Sequence, residues 1–310
     1  MIYLNSEKVK VGHFPDGTQM LLDLKIAPRL PEHFIEERVT EYVIDWHYKN
    51  DEECMTLWFL VGHIRDVAGK NAPITLRMKY LPNARMDRVK KDEEVFTLKH
   101  FAAFINSLNF NKVILYDPHS DVSPAIFNNA KINVSIELLI KQSVRNAMNA
   151  DGDDDRELVI YFPDAGAQKR YADFFNDPWY KEYCDLSIMH GAKLRDWNTG
   201  KIQGITICNR DGIAVGPDFS FNGRKVLMID DIISYGGTLA YSADKLKELC
   251  AGDIYAYATH TENSVLDEEK GTLLKRLKSG VVKKIYTTNS IFRGDGKNEI
   301  VKRYFDVMPI

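Results

Sequence analysis

The sequence predicts an α/β protein of two domains, each built on a mainly parallel β-sheet that is flanked by helices. Short apolar runs typical of buried strands alternate with segments whose apolar residues recur at helical spacing. The chain has 310 residues, which is enough for two domains of about 150 residues each. An acidic stretch at 150–157 separates two series of such elements, so we expect domains 1–145 and 146–310.

The first series predicts strands and a helix. Apolar runs at 56–62, 74–81 and 112–117 are typical of strands, and 96–108 has the pattern of an amphipathic helix. The apolar face of that helix is formed by Phe101, Phe104, Ile105 and Leu108.

The second series predicts a longer alternation. Strands are expected at 157–162, 185–190, 225–230, 253–259 and 281–287, and helices around 168–176, 239–250 and 268–278. In open parallel sheets, ligands bind beyond the carboxyl ends of the strands. The loops that follow the strands are therefore the candidate binding sites.

Composition argues against several classes of protein. The chain is 45% hydrophobic and 27% charged, and its net charge of −3 lacks the basic excess of nucleic-acid binders. No apolar stretch reaches the roughly 18 residues of a membrane helix, and the amino terminus lacks a signal-peptide core. The cysteines are far apart in sequence, which predicts reduced thiols. We expect a cytoplasmic protein without nucleic-acid or membrane partners.

The most informative segment is VLMIDDIISYGGTLAYSADKL at 226–246. A strand runs into Asp230 and Asp231, and a helix is predicted to begin at the turn that contains Gly236, Gly237 and Thr238. Backbone N–H groups at a helix amino terminus bind phosphate, while carboxylates suit sugar hydroxyls or Mg²⁺. Together these features predict a phosphorylated sugar as the ligand. The alternative is an ordinary strand-to-helix turn whose aspartates cap the helix.

Two further loops with charged residues follow strands of the first domain. In YDPHSD, His119 lies between Asp117 and Asp121, which suits a metal ion or a phosphate, although a lone histidine is commonly structural. In YLPNARMDR, Arg85 precedes Asp87, and the planar fork of arginine suits a polyphosphate. Charged loops are common, so the second signal is weak by itself.

Three more segments have the same character. In IYFPDAGAQKR, Asp164 precedes small residues and a helix start suited to a diphosphate, the alternative being a capped helix with two solvated basic residues. HGAKLRDWNTG places Lys193 and Arg195 after a strand, and GHFPDGTQ is a turn that presents Phe14 and Asp16.

Taken in chain order, these six loops resemble those of the ribose-phosphate pyrophosphokinases, also called PRPP synthetases, which have the type I phosphoribosyltransferase fold. The shared series is F-x-D-G, A-R-x-D-R, D-x-H, P-D-A-G, K-x-R, and D-D with G-G-T. Six loops in one order are far more specific than any one of them. The segment IYAYATH at 254–260 also matches the family's VYAYATH.

The resemblance implies transfer of the β,γ-diphosphoryl group of ATP to the C1 hydroxyl of ribose 5-phosphate, giving AMP and phosphoribosyl pyrophosphate (PRPP), with Mg²⁺ as the cofactor. Domain 1–145 would be the ATP-side phosphoribosyltransferase-like domain. Domain 146–310 would bind ribose 5-phosphate, and its last twenty or so residues would pack back on the first domain. A homo-oligomer, a hexamer built from dimers, is also implied.

The same resemblance implies a role for each matched residue. The ATP-binding residues would be Phe14, Asp16, Arg85, Asp87 and His119, the first two acting on the nucleotide of a neighbouring subunit. The metal ligands would be His119 and Asp164. Ribose 5-phosphate would be bound by Asp230, Asp231, Ser234, Tyr235, Gly236, Gly237 and Thr238. Lys193 and Arg195, on a mobile loop, would be catalytic.

The chain departs from the family pattern at several positions. Glutamine is common at the position of Met86, aspartate and threonine at those of Ser234 and Tyr235, and glutamate at that of Thr18. An inactive regulatory homologue of the synthetase is therefore one alternative. Another is a type I phosphoribosyltransferase that uses PRPP and a base, but that function leaves the A-R-x-D-R and D-x-H loops unexplained.

Overall fold

The computed structural model describes residues 1–26, 41–89, 91–150, 157–183, 185–195 and 202–310. For residues 183, 185, 193–195, 202 and 203 it describes the backbone. The chain divides into two compact units, Met1–Val134 and Ser135–Ile310.

The first unit contains a mainly parallel sheet and a separate hairpin. In chain order its elements are β1 (Ile2–Leu4), β2 (Glu7–Lys8), β3 (Lys10–His13), β4 (Gln19–Leu22), β5 (Tyr42–Trp46), α1 (Glu53–Ala68), β6 (Ile74–Met78), α2 (Thr97–Ser107), β7 (Lys112–Leu115), α3 (Val122–Ile126) and β8 (Ala130–Ile132). The sheet has the strand order β2–β1–β5–β6–β7–β8, and β5 to β8 run parallel. Strands β3 and β4 form the hairpin.

Helix α1 corrects one sequence prediction. The run 56–62 was expected to be a strand, but it lies within α1. Leu57, Leu60 and Ile64 are buried in the core of the first unit, whereas Trp58 and Phe59 are exposed. These exposed aromatic side chains complete a continuous apolar run, and such a run does not distinguish a strand from a helix. The helix predicted at 96–108 is confirmed as α2.

The second unit is built on a larger sheet. Its helices and strands are α4 (Ile136–Met148), β9 (Glu157–Phe162), α5 (Ala165–Tyr171), α6 (Pro178–Tyr183), β10 (Asp185–Arg195), β11 (Ile202–Asn209), β12 (Lys225–Ile233), α7 (Gly237–Glu248), β13 (Ile254–Thr261), α8 (Thr272–Lys278), β14 (Lys284–Thr288), α9 (Glu299–Tyr304) and β15 (Phe305–Met308), with 3-10 helices at Ala172–Asn176 and Asn263–Leu266. The strand order is β11–β10–β9–β12–β13–β14–β15.

All neighbouring strands of this second sheet are parallel except β10 and β11, which pair antiparallel. Strands β12 and β13 are buried along most of their length, because helices cover a parallel sheet on its faces. The predicted fold class, an α/β protein with mainly parallel sheets flanked by helices, is confirmed. The strands predicted in this half all lie within or overlap β9, β10, β12, β13 and β14.

The division between the two compact units lies at a different position from the predicted domain boundary. Helix α4 packs against β12 and β13 and belongs to the second unit, so the division falls between Val134 and Ser135 rather than near residue 145. Within the second unit, β15 pairs with β14, and Phe292, Val301 and Phe305 are part of the core. The expected packing of the carboxyl-terminal segment on the first domain stays a prediction.

Within the described ranges, no helix is long and apolar enough to cross a membrane.

Candidate functional site

The Gly-Gly-Thr turn joins β12 to α7. Gly236, the residue before α7, has a φ of +80°, in the left-handed region that favours glycine. A Cβ atom at this position would lie 2.3 Å from the Cβ atom of Leu273 on α8. No larger residue fits there without displacing α8. The first N–H groups of α7 lack intrahelical acceptors, so this end of the helix suits an anionic ligand.

Helix α8 and the segment before it hold the turn in place. The Tyr235 carbonyl accepts hydrogen bonds from the Thr272 hydroxyl at 2.9 Å and from the Leu273 N–H at 3.2 Å. The Ser234 and Ser264 hydroxyl oxygens lie 3.3 Å apart. The Tyr235 side chain is exposed, so the bulk of its ring is accommodated at the surface.

Three carboxylates gather at the carboxyl ends of β9 and β12. Asp230 and Asp231 lie in the last part of β12, and Asp164 follows β9 and caps α5 by accepting a hydrogen bond from the Ala167 N–H at 3.0 Å. Burial and the charges of Asp231 and Asp164 raise the pKa of Asp230 well above its ordinary value. A hydrogen-bond donor or a cation at this position would relieve the repulsion.

Arg170 is a residue of this site that the sequence did not identify. Its Nη1 lies 3.1 Å from Oδ2 of Asp231, and both side chains are largely shielded from solvent. The predicted alternative for this segment, a capped helix with two solvated basic residues, is therefore wrong for Arg170, although Lys169 is exposed. No local spacing signals this contact, because it joins α5 to a strand distant in sequence. The P-D-A-G and D-D segments are thus parts of one cluster.

The first unit places a second group of predicted residues together. Asp87 is buried and receives two hydrogen bonds from Arg88, from Nε at 2.7 Å and from Nη2 at 2.9 Å. Arg88, the Ser120 hydroxyl and the charge of His119 lower the pKa of Asp87 to about 2. The A-R-x-D-R and D-x-H loops therefore meet at Asp87. Arg85 is exposed and Met86 is half-buried.

The F-x-D-G turn is the tip of the β3–β4 hairpin. Phe14 is 52% exposed, and Asp16 accepts hydrogen bonds from the N–H and the hydroxyl of Thr18 at 2.9 and 2.7 Å. These hydrogen bonds lower the pKa of Asp16. The tip thus presents an aromatic ring and an ionised carboxylate to solvent.

Lys193 and Arg195 lie within β10, which corrects the expectation that they follow the strand on a loop. Lys193 is opposite Ile205 and Arg195 is opposite Ile202 in the antiparallel pairing with β11, with an irregularity between Leu194 and Arg195. Their side chains, and residues 196–201, are outside the described part of the chain.

Comparisons with known proteins show similarity over most of the chain. No family model matches the chain. The ribose-phosphate pyrophosphokinase of Saccharolobus solfataricus is 26% identical over 92% of this chain and 84% of its own length. That of Sulfurisphaera tokodaii is 27% identical over 97% of this chain and 90% of its own length.

A solved structure agrees at the level of the fold. The phosphoribosylpyrophosphate synthetase of Mycobacterium smegmatis superimposes with a TM-score of 0.69 and 17% identity, covering 98% of this chain and 86% of its own. The chain is similar to the ribose-phosphate pyrophosphokinases over most of its length. The similarity extends over both units, and it therefore includes the loops of the first unit as well as the Gly236 turn.

The structure accounts for two of the departures from the ribose-phosphate pyrophosphokinase pattern. Thr18 is the partner of Asp16, so it fixes the carboxylate at the hairpin tip. Tyr235 contributes its backbone carbonyl to the contact with α8, which any residue could do. The Met86 N–H donates to the Asn83 carbonyl at 2.9 Å, and nothing in the structure explains its side chain.

The described residues of this chain offer few protein ligands to a magnesium ion. In the described part of the chain, no group of three or more His, Cys, Asp or Glu side chains could hold a metal ion. Mg²⁺ commonly binds through one or two carboxylates together with substrate phosphates, so such a group is not required. Asp164 lies in the repelling carboxylate cluster of the second unit, whose chemistry suits a cation, and His119 lies in the first unit. Their roles as metal ligands stay predictions.

Proposed function

We propose that the chain is an ATP-dependent ribose-phosphate diphosphokinase. The C1 hydroxyl of ribose 5-phosphate attacks the β-phosphorus of ATP, the bond from that phosphorus to the α,β-bridging oxygen breaks, and PRPP and AMP are formed. The observation that carries the proposal is that the adjacent carboxylates of Asp230 and Asp231 on β12 are followed, after a short turn, by α7, which begins at Gly237. The chain is also similar to a ribose-phosphate pyrophosphokinase over 97% of its length.

The second unit would bind ribose 5-phosphate. Asp230 and Asp231 would accept hydrogen bonds from the 2- and 3-hydroxyls of the ribose. A hydroxyl donor beside Asp230 would oppose the burial and the repulsion that raise the pKa of this residue. The backbone N–H groups from Ser234 to Thr238 would bind the 5-phosphate at the start of α7.

The first unit would bind ATP. Arg85 would contact the polyphosphate. Asp87 would act by orienting Arg88, from which it accepts two hydrogen bonds, and the loop that carries His119, whose charge lowers the pKa of Asp87. Phe14 and Asp16 would contribute to the adenine pocket of a neighbouring subunit.

Charge neutralisation would supply most of the catalysis, since phosphoryl transfer depends on in-line positioning and on stabilising charge on the transferring oxygens. Magnesium ions bound with the substrate phosphates would neutralise part of that charge, and the predicted metal ligands are His119 in the first unit and Asp164 in the second. Lys193 and Arg195 would stabilise the rest.

A homo-oligomer is part of the proposal. The outer face of α1 exposes Met55, Trp58 and Phe59, an apolar surface of the kind that subunit contacts cover. A cytoplasmic location stays a prediction.

Phosphorus NMR of the purified protein with ATP, Mg²⁺ and ribose 5-phosphate tests the function. We expect AMP and PRPP to appear together, and both to be absent without ribose 5-phosphate. Lys193→Ala should lose turnover and retain ATP binding. If ATP stays intact in the wild-type reaction, the inactive regulatory homologue replaces the enzyme as the better interpretation.

A further inference from the structure

A buried lysine lies at the carboxyl end of the first sheet, and it is not among the predicted site residues. Lys79 directly follows β6 and is 7% exposed. Its ammonium donates a hydrogen bond to the Tyr116 hydroxyl at 2.9 Å and lies 4.2 Å from the centroid of the Tyr116 ring. It also lies 3.4 Å from Oδ1 of Asp45.

Strand register explains why these three side chains meet. Asp45 on β5 is opposite Arg77 on β6, and Arg77 is opposite Ile114 on β7. Lys79 and Tyr116 each come two residues later than Arg77 and Ile114, so all of these side chains point to one face of the sheet. The cluster therefore spans the ends of three neighbouring strands, where the loops of a parallel sheet bind ligands.

The cluster is costly for a purely structural feature. The buried ammonium of Lys79 and the carboxylate of Asp45, whose side chain is 17% exposed, both lose hydration. An apolar trio of similar volume is often at least as stable. The pairing is also loose, because Lys79 lies 3.4 Å from Oδ1 of Asp45 without a hydrogen bond to that atom, and Nη1 of Arg77 lies 3.9 Å from Oδ2. Buried polar groups with incomplete pairing call for an explanation beyond packing.

The position of Lys79 supplies that explanation. Lys79 begins the loop that leads to Asp87, and Tyr116 begins the loop that carries His119 and Ser120. The two loops already meet at their far ends, where Asp87 interacts with Ser120 and His119. The Lys79–Tyr116 hydrogen bond connects the same two loops at their starts.

We propose that Lys79 is a positioning residue of the nucleotide site, which fixes the 80–88 and 116–121 loops relative to each other through Tyr116 and Asp45. The inference rests on the proposed function in one respect, namely that ATP is the ligand of these loops. Lys79 itself acts through Tyr116 and is not assigned a contact with ATP.

Substitution of Lys79 by methionine removes the charge and keeps most of the volume. For Lys79→Met we expect the KM for ATP to rise about tenfold or more, the usual consequence of losing a charged hydrogen bond, while the KM for ribose 5-phosphate changes less than about twofold. Tyr116→Phe removes the hydroxyl acceptor and should act in the same direction. It is the informative variant if Lys79→Met does not fold.

Lys225→Met is the matched control. Lys225 is also buried, at 8% exposure, and donates to a carbonyl, that of Met148, at 3.1 Å, but it belongs to the second unit. Its substitution should leave the KM for ATP unchanged. A rise in this KM equal to that of Lys79→Met would assign the effect to the loss of any buried lysine and overturn the proposal.

Hydrogen exchange measured by mass spectrometry gives a readout that does not depend on activity. In Lys79→Met, amide exchange should accelerate together in peptides covering 80–88 and 116–121, with the peptides of β12 and α7 unchanged. Unaltered exchange in both loops together with an unaltered KM for ATP would refute the positioning role. If the wild-type protein makes no PRPP, the proposed function fails, and the exchange data still decide whether Lys79 holds the two loops.

Discussion

The ion pair between Arg170 and Asp231 gives the sharpest quantitative prediction. Arg170→Met leaves the Asp231 carboxylate buried without its guanidinium partner, and the two side chains are 22% and 7% exposed. Removing one partner of a buried pair typically costs about 3 kcal/mol or more. We expect a loss at the low end, about 3 kcal/mol in the free energy of unfolding, because Arg170 retains some contact with water.

A second arginine of the same unit is a control that distinguishes the effect of burial on stability from the effect of hydrogen-bond geometry. Arg276 makes two short hydrogen bonds to Asp244, at 2.6 and 2.7 Å, but the two side chains are 36% and 39% exposed. If geometry determined stability, Arg276→Met would be the more damaging change. Because exposed pairs are screened by solvent, we expect it to cost about 0.5 kcal/mol.

The assay is urea unfolding at neutral pH, followed by tryptophan fluorescence and by circular dichroism, with coincident transitions required before a free energy is extracted. Asp231→Asn and the double variant with Arg170→Met complete a double-mutant cycle, for which we expect a coupling energy of about 2 kcal/mol. A coupling no larger than that of the Arg276–Asp244 pair would refute the reasoning. The KM for ribose 5-phosphate of the same variants would then show whether the pair also orients Asp231 for binding.

Three other predictions concern the same two units. Asp230→Asn should stabilise the fold at pH 8, because ionisation of Asp230, whose pKa is raised, destabilises the folded state as pH rises. The gain in the free energy of unfolding, measured in urea, should shrink as pH falls toward 3.8, the ordinary pKa of aspartate. A gain that does not depend on pH would contradict this cause. Gly236→Ala should cost about 3 kcal/mol of stability, since it adds an alanine in the left-handed region and a clash with Leu273. Calorimetric titration with ribose 5-phosphate should show weaker binding. An unchanged midpoint of urea unfolding would exclude the clash. Trp58→Glu should lower the molar mass measured by light scattering, whereas an unchanged oligomer would place the subunit contact on another surface.

Several elements of the fold could be predicted from the sequence because parallel strands buried on both faces appear as uninterrupted apolar runs. Strands β9, β12 and β13 are of this kind. The same property explains the error at 56–62, where Trp58 and Phe59 on the outer face of α1 hide the helical period. The strands β1 and β2 have only 3 and 2 residues, too few to show a period, so the sequence does not predict them.

The candidate site was predictable where it depends on local backbone and not where it depends on tertiary contacts. Gly236 could be assigned from the sequence because a strand-to-helix turn with adjacent glycines has its own spacing. Its requirement for glycine, however, comes from Leu273, which belongs to another helix. Arg170 and Lys79 escaped prediction for the same reason, since their partners lie on other strands.

Charged groups near the two proposed binding sites differ in how they are paired, and this difference has a consequence for ligand binding. Asp87 is held by Arg88 with its pKa at about 2, so it stays ionised through the whole physiological range. In the second unit, Arg170 pairs with Asp231, while Asp230 has its pKa raised by burial and by its two acidic neighbours. A ribose hydroxyl that donates to Asp230 would favour its ionised form and lower that pKa. Sugar binding would therefore release a proton at any pH where Asp230 is protonated in the protein without sugar. Nucleotide binding beside Asp87 would release no proton from Asp87, because this carboxylate is already ionised.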